Sequence, residues 1–93
     1  MENRNTGIIC KKCAQERKSR TQEDLKGFDP KQLIGRFIKK SFTHNNRVEH
    51  LWLEVLEVKD ETLKGRIDND PIVVKQKYND IVSFSIDEIE QVI

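Results

Sequence analysis

Apolar positions in this 93-residue chain change their period part-way along it. From Ala14 to Lys26 there is neither Pro nor Gly, and Gln, Glu, Lys and Arg, all good helix formers, dominate. Gly27 supplies a stop. The apolar stripe of this segment is nearly absent, which predicts an exposed, frayed helix. Asp29 before Pro30 then reads as an N-cap with Pro in the first helical position, opening one turn through Gln32 or Leu33 that Gly35 ends. Beyond it the pattern becomes that of strands. "LIGRFIKKSF" is the first, and Thr43 to Arg47 form its turn, rich in side chains that tolerate left-handed backbone. "VEHLWLEVLEV" is the strongest strand, with Leu51, Leu53 and Val55 on one face and His50, Trp52 and Glu54 on the other. Lys59 to Glu61 turn into "TLKGRI", whose Leu63, Gly65 and Ile67 share a face. "DNDP" is a turn by composition, "IVVKQ" a further strand, "KYND" another turn and "IVSFSI" the strand after it. Ser85 and Glu88 stand at capping-box spacing, which predicts a helical turn before a last short strand.

Short strands joined by brief turns predict a mainly β (α+β) fold. The expected architecture is an SH3-like barrel of five to six strands, because closure hides the edges that a small open sheet would expose. Residues 1–27 are then a basic, partly helical extension carrying a C-x2-C pair, and residues 28–93 the barrel domain.

Composition narrows the picture. A chain this short builds one hydrophobic core, and with 35% hydrophobic residues that core is thin. No run of 18 apolar residues is present to span a bilayer. Met1 to Thr6 are polar and lack the apolar stretch of a secretory signal, so the expected location is cytoplasmic, where a cysteine pair stays reduced. Charge is uneven: residues 1–48 carry 12 Lys/Arg against 5 Asp/Glu, and residues 49–93 carry 5 against 11. That polarity suits either a basic face for an acidic partner or attraction between the two halves of the fold.

Chemistry is sparse. Cys10 and Cys13 form half of a tetrahedral zinc site, which needs two more N or S ligands. His44 and His50 are the remaining imidazoles, with 30 residues between Cys13 and His44, farther than in ordinary zinc fingers. Two copies of the pair sharing one zinc across a dimer is the other route to a complete site. Lys11, Lys12, Arg17, Lys18, Arg20 and Lys26 can neutralise phosphates, but no aromatic residues for base stacking are interleaved with them. With the leucines of the strongest strand inside, Trp52 looks outward beside His50 and marks a contact surface, unless the Ala14–Lys26 segment or Phe28 covers it. Asp68 and Asp70 flank a turn that is not an EF-hand and that Asx capping explains. Asp80 is expected to tighten the turn into its strand.

Taken together, "EHLWLEV", "GRIDNDP" and "YNDIVSFSIDEI" resemble the YegJ-like bacterial domain-of-unknown-function family over residues 34–93. The matching positions are Glu49, His50, Trp52, Gly65, Asp68, Asn69, Pro71, Asp80 and Val82. Leu51 stands where that pattern has Met, and Asn79 where it has Gly; Asn also accepts positive φ, so the turn survives. The C-x2-C lies outside the resemblance, which implies a fold and a candidate surface but no reaction.

The expectation is therefore a non-catalytic binding or regulatory module with a protein partner and no cofactor. Its contact surface would comprise Glu49, His50, Trp52, Asp68, Asn69, Asp70 and Pro71. The alternative is a zinc-dependent nucleic-acid-associated protein using Cys10, Cys13 and the basic arm. An enzyme would need His50 to approach Asp68 or Asp70 across a neighbouring strand, and would still lack a nucleophile.

Overall fold

Two asparagines make the first hairpin. Asn45 and Asn46 both adopt positive φ, 51° and 64°, the backbone that a two-residue turn between right-twisted strands requires. They join β1 (Phe37–His44) to β2 (Arg47–Lys59) in antiparallel register, Ile38 opposite Leu53 and Phe42 opposite Glu49. A second tight turn at Asp60, φ 55°, leads into β3 (Thr62–Ile67). A third, with Asn79 at φ 74°, leads into β4 (Ile81–Ser85), where the Lys77 N–H donates to Asp80 Oδ2 at 2.9 Å. In this computed structural model, which describes residues 11–72 and 74–93, the strands form one antiparallel sheet in the order β4-β3-β2-β1-β5.

Both short helical turns fall where their caps predict. Pro30–Leu33 is a 3-10 turn whose Asp29 side chain accepts from the Lys31 N–H. Ile86–Glu88 is another, and there Glu88 Oε2 accepts from the Ser85 N–H at 2.8 Å. The helix α1 (Lys11–Leu25) stops before Gly27, φ 77°. It is less detached than its composition suggests. Thr21 Oγ1 donates to the Glu90 carbonyl, and Gln22 Nε2 donates to the carbonyls of Ile86 and Ile89 at 2.9 and 2.8 Å. Leu25 packs against the core. Polar side chains thus dock a helix that has almost no apolar stripe to do so.

The core lies on the leucine side of β2. Leu51, Leu53 and Val55 are buried with Ile38, Leu63, Ile67, Phe84, Ile89 and Leu33. Gly65 is needed for this packing, because a Cβ there would stand 3.0 Å from the Phe84 ring and 3.1 Å from the Leu53 Cβ. A register shift between Val55 and Glu57 inserts one extra residue, so the core position after Val55 is Val58 and not Glu57. Such a bulge strengthens the local twist and curls the sheet.

Two expectations are corrected. The sheet is curled but not closed: β4 and β5 (Gln91–Val92) are its two ends, and no hydrogen bonds join them among the described residues. The chain turns away after Ser85 through Ile86–Glu88 and returns for only two residues, pairing with β1 at Ile38 and Lys39. Helix α1 contacts β5, while its Gln22 reaches the Ile86–Ile89 segment that links the two ends of the sheet. The second correction concerns "IVVKQ", whose described residues are not strand. The N–H groups of Ile72 and Val74 go to a side chain and not to a neighbouring strand.

Candidate functional site

That side chain is Glu49. β3 ends at Ile67, opposite Leu53, and beyond that point the β3-facing edge of β2 has no strand beside it. An unpaired buried edge is costly, so its groups must be satisfied by other means. The loop of residues 68–76 supplies them. Asp68 N–H donates to the Trp52 carbonyl at 2.8 Å, which extends the ladder by one bond. The Trp52 N–H then donates to Asn69 Oδ1, a side chain standing in for a strand carbonyl. Glu49, only 1% exposed, accepts from the Ile72 N–H through both carboxylate oxygens, at 3.0 and 2.9 Å, and from the Val74 N–H at 3.3 Å. A carboxylate accepting several backbone N–H bonds is a strong anchor.

The two sequence patches "EHLWLEV" and "GRIDNDP" are therefore one device, in which the strand holds the loop. Glu49, His50, Trp52 and Asn69 are buried, Asp68 and Pro71 are half-buried, and Asp70 is exposed. Trp52 is 6% exposed and does not look outward. It shares its face of the sheet with Lys39, whose Nζ lies 5.5 Å from the indole centroid, and with His50. The imidazole pairs with neither Asp68 nor Asp70 but with Glu90, His50 Nδ1 to Glu90 Oε1 at 2.6 Å, inside the protein. The backbone places that carboxylate: the Glu90 N–H donates to the Lys39 carbonyl at 2.7 Å, just before β5.

Residues that composition did not single out complete the site. Ile72, within the anchored loop, is 70% exposed. Its exposure follows from the capture of its N–H by Glu49, which fixes the backbone and leaves the side chain outside. Glu90 and Lys39 carried no legible signal, since their role depends on a strand pairing 40 or more positions away in the fold. Lys40 lies on the core side of β1 with its ammonium 3.8 Å from the Phe42 ring and 3.3 Å from Glu88.

Metal chemistry gains no geometry. Cys10 lies outside the described residues, as do Ile8 and Ile9; Cys13 is exposed in α1. Among the described residues no group of three or more His, Cys, Asp or Glu is disposed to hold a metal ion. No helix among them is long and apolar enough to cross a membrane.

Residues 6–92 match the family described as "Uncharacterized protein conserved in bacteria (DUF2314)". The chain belongs to this family. The match begins at residue 6, ahead of the 34–93 segment that carried the resemblance, so Cys10, Cys13 and α1 lie inside the matched region. No curated protein and no solved structure shows significant similarity to the chain.

Proposed function

We propose that this member of the DUF2314 family is a non-catalytic binding or regulatory module whose contact element is the Asp68–Ile72 loop. One observation carries the reading: the Glu49 carboxylate, the least exposed acidic side chain of β2, accepts from the Ile72 and Val74 N–H groups of a loop whose Ile72 side chain stands 70% exposed. A fold that spends a buried carboxylate on fixing one loop holds an apolar side chain in a set position, which lowers the entropy cost of docking there. Asp70, also exposed, adds a charge beside Ile72 and would set orientation more than affinity.

Non-catalytic is the better reading because the one imidazole near the loop signature is taken by Glu90 in the interior. Under this reading Glu49, His50, Trp52 and Asn69 form the support, and Asp70, Pro71 and Ile72 the contact. The cytoplasmic location and the YegJ-like kinship belong to the same proposal.

The test is capture of cross-linked partners with wild-type protein, Ile72→Asp and a distant control, Lys64→Ala. A partner retained by wild type and Lys64→Ala but lost from Ile72→Asp supports the loop. Equal retention by all three, or a nucleic acid as the specific ligand, would overturn it.

A further inference from the structure

The other end of the sheet carries an independent inference. β4, "IVSFS", has no charge and no proline, and it is a terminal strand of the sheet. Its ladder with β3 alternates. Ile67 N–H donates to the Asp80 carbonyl and Ile86 N–H to the Glu61 carbonyl, at the two ends of the pairing. Antiparallel strands expose their backbone groups to either side every second residue, so Val82 and Phe84 face β3 whereas Ile81, Ser83 and Ser85 face away. Ser85 N–H is already used by Glu88. The N–H and C=O of Ile81 and of Ser83 remain without partners among the described residues. Ile81 is 61% exposed, and Ser83 is exposed beside it.

We propose that this edge pairs with the same edge of a second copy of the chain, antiparallel about a two-fold axis at Val82. The register follows from which groups are unused. With Ile81 opposite Ser83 of the other copy, the N–H and C=O of both residues are satisfied on both copies, and the occupied Ser85 N–H is not called upon. Placing Ser83 opposite its own copy would direct the Ile81 carbonyl at that occupied N–H. In the chosen register Val82 faces Val82 of the second copy in the close, non-hydrogen-bonded position. Val82 is half-buried and packs against the core, so this contact continues an apolar layer. An isologous contact puts each residue near its own copy, and a strand with no charge is free of the repulsion that would otherwise result. Edges meant to stay single are shortened, charged or given proline. The β5 end has two residues, and β4 has none of these protections.

Equilibrium sedimentation of the full chain tests the proposal. A strand contact covers less than the ~800 Å² per partner of a stable interface, so reversible association is expected, with dimer visible near 1 mM and dissociating toward about 10 μM. Ser83→Pro and Ile81→Lys are each expected to weaken dimerisation at least about tenfold. The Ser83 N–H faces away from β3 and has no partner among the described residues, so proline there leaves the β3–β4 ladder intact and the variant folded by circular dichroism. Val82→Cys, in a Cys10→Ser, Cys13→Ser background, is expected to form a disulfide dimer under mild oxidation. A monomer at every concentration, or a dimer unaffected by both edge variants, would overturn the pairing. Dimers in which Val82→Cys fails to cross-link would overturn the register.

Discussion

The sheet leaves backbone without a neighbouring strand at the open length of β2 and along β4, and the chain treats these two places in opposite ways. Where β3 stops short of β2, a loop anchored by Glu49 of β2 takes the place of a strand and offers Asn69 to the Trp52 N–H. Along β4 no described residue pairs with the outward backbone of Ile81 and Ser83. The first edge sits under the interior, where an unsatisfied N–H costs the full desolvation of that group, and the fold has accordingly built side chains into it. The second faces water, which satisfies the same groups until a better partner arrives. Covered backbone is a matter of stability; bare backbone is a matter of association. The two should separate cleanly under mutation.

The largest effect is expected from Glu49→Ala, which strands the N–H groups of Ile72 and Val74 and should cost about 3 kcal/mol in denaturant unfolding. Increased protease cleavage confined to residues 68–76 would show that the loop is what is lost. If that loop stays protected, Glu49 is not the anchor and the comparison collapses. Asn69→Ala removes one acceptor from the Trp52 N–H; a loss of about 1.5 kcal/mol is expected. Glu88→Ala removes the acceptor of Ser85 N–H as well as the ion-pair partner of Lys40, at about 1 kcal/mol. It also frees the Ser85 N–H, which the proposed pairing does not use, so dimerisation should stay unchanged while the monomer becomes weaker. A change of the two in the same direction would show that the edges are coupled. Smallest is Ser83→Pro, expected to alter unfolding by less than about 0.5 kcal/mol while acting on sedimentation alone.

Legibility in the sequence follows the range of the interaction concerned. The turns at Asn45–Asn46 and Asn79, the cap at Asp29 and the Ser85–Glu88 spacing were all readable, because each is decided within four or five residues. The same holds for the Leu51, Leu53, Val55 face. The β-branched run of "IVVKQ" has strand propensity, whereas Glu49, more than twenty positions earlier, takes the N–H groups of Ile72 and Val74. Whether Trp52 is outside or covered stays open in the sequence, because alternation allows a strand two faces but does not say how many are covered. The bulge after Val55 was invisible for a similar reason: "LEVLEV" alternates plausibly either way until Gly65 opposes it.

By itself, then, the sequence determined the strand periods, the turns, the leucine-lined interior and the want of a complete catalytic or metal motif, all properties of neighbours along the chain. Tertiary structure alone decided that the sheet curls without closing, that His50 meets Glu90, and that Glu49 and Asn69 serve a loop and not a surface. Those outcomes depend on which distant backbone groups would otherwise be left without partners. That quantity is defined only once the strands have been brought together.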